Sequence, residues 1–321
     1  MYFIDTSKRS SRIDYEVSCI DSIGVLDTAS YYGGIYSNKN ARTLIAEVVG
    51  NDADVDYTNV SGTITGYLPI CSKRDALNQI AMALNLVVTT YGTDKIAFYP
   101  LATEQESVIN EDRIFSEGDN VETSSRVSAV NITYHTYALD STSTQAYTGT
   151  INGTSTVTFN EPYGNLSISG GTLVSSGANY ATVTASGTVT ITGKKYIDNK
   201  VVATRLNPRT SVQDKNNIIE ITDATLINAN NVNSVLDNVY NYSLFLSKIH
   251  QSIIVDGEYP RKMVSSVNAY GNRVFGYITK MDLSFTRNTY AEIELVGNEV
   301  DKSTHVSPRT NTMQSGEEIW L

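Results

Sequence analysis

The chain has 321 residues, with 24 Lys and Arg against 34 Asp and Glu, a net charge of −10 and 40% hydrophobic residues. That length exceeds one ordinary core and points to several domains. The acidity, with no basic stripe, excludes free binding to a nucleic-acid backbone. Only 18% of residues are charged, while 21 are Tyr and one is Trp. Thr and Tyr suit half-buried strands and Asn and Ser suit turns, so the composition reads as β-rich with many loops. Cys19 and Cys71 stand without CxxC or histidine spacing and read as small buried hydrophobes. The longest apolar run, 80–88, is broken by Asn85 and falls far short of the roughly 20 residues that span a bilayer. No basic-then-apolar leader opens the chain, so no membrane span is expected.

Residues 1–36 alternate in strand fashion, as in 13–20, up to the Gly33-Gly34 turn. A short helix is predicted over 40–49, with Leu44, Ile45, Val48 and Val49 at helical spacing. A second follows an extended segment ending near Pro69. Ser72 caps it, Asp75 completes a capping box, and Ala76, Leu77, Ile80, Ala81 and Leu84 form its buried stripe. With a strand at 95–99 these helices make a small α/β unit. From His135 to Gly193 there is no Lys or Arg, and only Asp140 and Glu161 are acidic. Short alternating runs at 155–159, 166–169, 180–183 and 188–192, separated by Gly or Asn turns, predict an antiparallel sandwich that forms a separate domain removable between about 126 and 208. After Pro208 come a short strand at 218–221 and the longest helix, with Val232, Val235, Leu236 and Val239 along one stripe. Strands return at 252–255, 264–270, 274–283 and 291–296, with Gly271-Asn272 as a hairpin turn. After Gly297 the apolar periodicity stops until Trp320-Leu321, so 298–321 is predicted to be an extended tail that orders on a partner through those two residues.

Enzymatic signatures are missing. His135, His250 and His305 lie in no HExxH and beside no GxSxG elbow, and no phosphate cradle occurs; Gly149, Gly153 and Gly170-Gly171 read as turn glycines. Glu317-Glu318 and the pair Glu292 and Glu294 are the only candidate acid dyads, and both read as solvated surface. Asp52, Asp54 and Asp56 alternate like the start of a calcium loop, but Tyr57 stands where Gly is required and Thr63 where a bidentate Glu is required. No catalytic residue, cofactor or metal is therefore expected.

The order of Tyr15 to Asp27, Tyr31-Tyr32-Gly33-Gly34-Ile35-Tyr36, Gly66-Tyr67-Leu68-Pro69-Ile70 with Arg74, Ala76-Leu77 and Ile80-Ala81, then Asp223 to Ile227 and Gly276-Tyr277-Ile278 resembles the tail hub or baseplate hub proteins of phages, the siphophage tail and late-control-D-like family. The likeness touches about two thirds of the chain. It implies a mainly β, multidomain α+β fold with small antiparallel barrels or a sandwich plus the α/β unit. The expected order is the end of an N-terminal tube-like barrel (1–37), the α/β domain (38–122), the β-sandwich (123–210), a helix with a C-terminal barrel (211–297) and the tail (298–321). Either the rest of the first barrel is missing or another chain completes it. The resemblance implies a non-enzymatic homotrimeric ring in the virion tail, assembled in the host bacterial cytoplasm, that joins the tail tube or a distal tail protein to a central spike or tail-tip protein. The ring strands would be 15–26 and 253–296. The alternative is a tail-tip module that binds a host-surface glycan or protein, with Tyr147, Tyr163, Tyr180 and Tyr196 stacking on sugars.

Overall fold

The computed structural model describes residues 2–9, 15–102, 105–115, 120–210, 217–285 and 289–300. Among the described residues strands take 56% and helices 15%, which makes it a β-rich α+β protein with several sheets. It divides into two compact units, each assembled from separated segments: Met1–Pro100, Val130–Arg205 and Glu220–Asn238 in the first, Leu101–Ala129, Leu206–Ile219 and Val239–Leu321 in the second.

The first unit begins with β1 (Tyr2–Arg9) and β2 (Tyr15–Asp21), which pair only with each other, antiparallel, with a bulge between Ile4 and Thr6. The strand expected through residue 26 stops at Asp21. Its carboxylate accepts from Gly24 N at 2.8 Å and caps α1 (Ser22–Asp27), which buries Leu26 completely. Next come β3 (Ser30–Tyr31), β4 (Gly34–Asn40), α2 (Ala41–Val49), β5 (Val55–Asp56), β6 (Thr63–Leu68), β7 (Cys71–Ser72), α3 (Lys73–Ala83), β8 (Val87–Thr89) and β9 (Ile96–Tyr99). Both helices start where a side chain takes an orphan N–H: Asn40 accepts from Thr43 N, and Ser72 from Asp75 N. Leu44, Ile45 and Val48 of α2 and Leu77 and Ile80 of α3 meet Leu26, Ile64, Leu68, Ile96, Phe98 and Leu226 in one core. Burial of such a set is the main stabilising term of the unit.

The chain then forms β10 (Ser107–Val108) and β11 (Asn120–Thr123) of the second unit, with a 3₁₀ turn at Glu111–Arg113 between them. It continues into β12 (Ala129–Thr158), β13 (Tyr163–Ser169), β14 (Thr172–Ser176), β15 (Tyr180–Leu206) and β16 (Ile218–Ile221). These five make one sheet in the order β13-β15-β12-β16, with β14 also on β15. Of the short runs predicted from sequence, 166–169 falls in β13, and the other three are stretches of two strands of 30 and 27 residues. Gly149 and Gly153, expected in turns, lie inside β12, where Gly153 has φ +91°. The strand runs on because Thr154 and Thr156 bond across to Thr184 and Thr182 at 2.7 and 2.9 Å, and Thr148 to Thr190 at 3.3 Å. Gly170, at φ +83°, does turn the chain, and a Cβ there would sit 2.1 Å from Thr188 O. Alternation puts Ile151, Val157, Ala181, Val183, Val189 and Ile191 on one face as a second core and the threonines on the other.

Residues 223–227 form a turn that buries Leu226 and Ile227, and α4 (Val232–Ser243) starts after Asn231. In the second unit β17 (Ser247–Ile254), β18 (Met263–Val267), β19 (Arg273–Phe285) and β20 (Thr289–Val300) join the earlier two strands in the order β10-β18-β19-β20-β17-β11. Only the β10–β18 pairing is parallel. Ile249, Ile253, Val264, Val274, Ile278, Ile293 and Leu295 form its core. Of the tail expected from residue 298, the first residues belong to β20, which carries the ladder to Arg273↔Val300, and Asn298 accepts from Leu246 N; the rest of the expected tail, 301–321, lies outside the described residues.

Candidate functional site

Three of the segments that carry the resemblance, 31–36, 66–70 and 223–227, meet in the first unit. Asn179, in the turn before β15, is buried and donates to Tyr32 O at 2.7 Å and Leu68 O at 2.9 Å, while Tyr67 donates to its Oδ1 at 3.0 Å. Gly33 has φ +64°, and a Cβ there would stand 2.1 Å from Leu68 O. Gly66 likewise lets the 225–228 segment come close: Tyr67 N donates to Thr225 O, Thr225 Oγ1 to Tyr67 O, and Asn228 Nδ2 to Thr65 O. Tyr31 and Tyr36 share a hydroxyl bond at 2.8 Å, and burial first, then that bond, pushes the Tyr36 phenol far above its usual range. These are clamps of a scaffold. They offer no reacting group.

Other polar clusters also have structural partners. His135 sits buried with Nδ1 2.9 Å from Asp198 and its ring stacked on Tyr137. Asp52 pairs with Lys73 and Asp56 accepts from Thr58, and among the described residues no group of acids, histidines and cysteines gathers as a metal site would. Glu294 is held by Lys248 at 2.7 Å and Thr279, and the Lys248 bond keeps its carboxyl below the usual range. In the second unit Glu258 accepts two bonds from Arg113, at 2.7 and 3.2 Å, and one from Asp256 N at 2.6 Å. Burial would raise the Glu258 carboxyl, but these donors outweigh it and hold it below its ordinary value.

The tyrosines proposed to stack on sugars do not share a cleft. Tyr163 is buried edge-on to Phe159, Tyr147 packs on the same core, Tyr180 packs on Tyr32, and Tyr196 lies beside Gly164. Trp320 and Leu321, the predicted partner residues, lie outside the described residues, as do His305 and Glu317-Glu318.

Two surfaces remain without an internal explanation. On the β1–β2 hairpin Ile4 is 70% exposed and Val17 50%. On β19 the pairing with β18 ends at Met263↔Tyr277, after which Arg261 N donates to Ile278 O and Ile278 N to Lys262 O. Beyond them residues 279–285 have no strand on that side among the described residues. This open stretch ends in Leu283 and Phe285, the latter 76% exposed, near the Phe115–Tyr290 ring contact at 5.4 Å. Alternation in Met281-Asp282-Leu283-Ser284-Phe285 marks the strand in the sequence but not its missing neighbour.

No family model and no curated protein sequence matches the chain. Among solved structures it is similar to the tail protein from Neisseria meningitidis MC58, with a TM-score of 0.53 and 10% identity over 94% of this chain and 79% of that one. The 43 kDa tail protein of prophage MuSo2 from Shewanella oneidensis gives a TM-score of 0.51 and 11% identity over 91% and 77%. The chain has a phage tail-protein fold. At such identities the likeness is one of backbone, so the tail-protein fold carries over and the relatives' contacts do not.

Proposed function

We propose that this chain is a structural, non-enzymatic subunit of a phage or phage-like tail, and that it forms a trimeric hub ring between the tail tube and a central spike. The tail-protein fold over 94% of the chain is the observation that supports this reading most directly. It is supported further by buried polar clusters that each serve packing, and by a β-rich surface with open strand edges that oligomerisation would cover. In this reading the C-terminal residues Trp320 and Leu321 anchor a neighbouring tail protein, the spike side first, and the protein resides in the virion after assembly in the host cytoplasm. The test is the solution mass together with a tag on the N-terminus, located in particles by electron microscopy. Trimers and label on the tail axis at the tube's end are expected; monomers, or label on peripheral fibres, would count against the hub. Truncation after Val300 should leave the trimer intact and release the distal component.

A further inference from the structure

We infer that the β1–β2 hairpin of one copy of this chain adds as strands to the open edge of β19 in a second copy. The inference rests on the ring reading and names the edges that build it. A two-stranded hairpin is marginal in water by itself, and here the pair makes a sheet of its own whose described side chains between Ile4 and Arg9, and between Val17 and Cys19, are exposed. Among the described residues neither outer edge has a neighbouring strand, and an open edge is the usual template for pairing with another chain.

The acceptor has the same dimensions. β19 is open over residues 279–285, seven residues, and β2 has seven and β1 eight; at about 3.3 Å per residue these are stretches of similar length. Apolar side chains stand bare on both partners, Ile4 and Val17 on the hairpin, Leu283 and Phe285 on the edge. On the edge itself the β19–β20 ribbon sets Asp282 directly opposite Glu292, and Lys280, 2.7 Å from Asp282, relieves that like-charge pair from within the chain. Donor and acceptor lie on different parts of one chain, so each copy gives and receives. Such a head-to-tail contact closes into a ring when the rotation per step permits.

The test uses the full chain and two variants. Leu283→Lys with Phe285→Lys blocks the edge at side chains exposed in a single copy, and Val17→Pro blocks the hairpin; circular dichroism and melting check that each still folds. Analytical ultracentrifugation should show the wild type as an oligomer and each variant shifted about tenfold or more towards monomer. Mixed in equal amounts, the variants should form dimers and stop there, because only one intact hairpin faces one intact edge. If the wild type assembles and either variant assembles equally well, this pairing is wrong while the ring reading stands. Loss of assembly in Val17→Pro with retention in the lysine variant would instead mean that hairpins pair with each other. A wild type that stays monomeric at tens of micromolar would overturn both the pairing and the ring.

Discussion

The large sheets of the two units share a plan and differ in their outer chemistry. Each buries an aliphatic face, Ile151, Val183 and Ile191 in the first unit and Ile249, Ile278 and Leu295 in the second. Outside, the 148–156 stretch of β12 is tied to β15 by threonine hydroxyls, with ion pairs such as Lys195–Glu161 and Lys200–Asp198 confined to the later part of β15, whereas the second sheet carries Lys248–Glu294 and Lys280–Asp282 and leans on the buried Arg113–Glu258 pair. A hydroxyl pair has no proton to gain between pH 2 and 8; a carboxylate does. The threonine-tied stretch and the ion-paired sheet thus differ in their sensitivity to the medium.

The largest expected effect comes from cutting the buried pair. Glu258→Ala leaves Arg113 facing two carbonyls with no carboxylate and should cost about 3–5 kcal/mol, read from denaturant unfolding of the second unit. Acid should do the same reversibly. Because the folded Glu258 carboxyl lies below its ordinary value, its contribution is complete above that ordinary value and is lost as pH falls through the lower folded one. Hydrogen exchange, corrected for intrinsic rates, should show β17–β20 losing protection on acidification before β12 and β15. Equal loss in both, or an unchanged acid response in Glu258→Gln, would defeat the comparison.

A smaller effect is expected at Asn179. Removing its amide with Asn179→Ala strands two carbonyls, Tyr32 O and Leu68 O, and should destabilise the first unit by about 1–3 kcal/mol without altering its acid response. The same contacts tie the turn before β15 to the α/β core. Deleting 126–208 should therefore lower the melting temperature of the remainder, and an unchanged melt would show that Asn179 is dispensable. The smallest effect belongs to Thr156→Val, which loses one hydroxyl bond to Thr182 but keeps the branched shape. A cost under about 1 kcal/mol, independent of pH, is expected, and a pH-dependent loss would deny the neutral character of that face.

Legibility in the sequence followed the range of the interaction. Asn40 and Ser72 fix α2 and α3 through bonds three residues away, so both helices were readable from their caps and stripes. The length of β12 was not, because it depends on threonines 26 to 42 positions distant, and a local reading takes Gly149 and Gly153 for turns. Asp21 was hidden for the opposite reason: its cap is local, but the alternation up to Ile20 masks it. Of the candidate site, strands could be seen at 13–20 and 274–283, yet alternation looks the same in a strand that is half-buried and in one that stands bare. Exposure of Ile4, Val17 and Phe285 is set by the absence of a neighbour, which no pattern within the chain encodes.

The threonine face also bears on what happens when the medium is diluted. Screening acts on charges, over about 8 Å at physiological salt and much farther in fresh water, and pairs such as Lys280–Asp282 strengthen or fade with it. Neutral hydroxyls give the counterion atmosphere nothing to act on. A particle built from such subunits would leave a salty cell for rainwater with the threonine-tied stretch of one sheet unaware of the change.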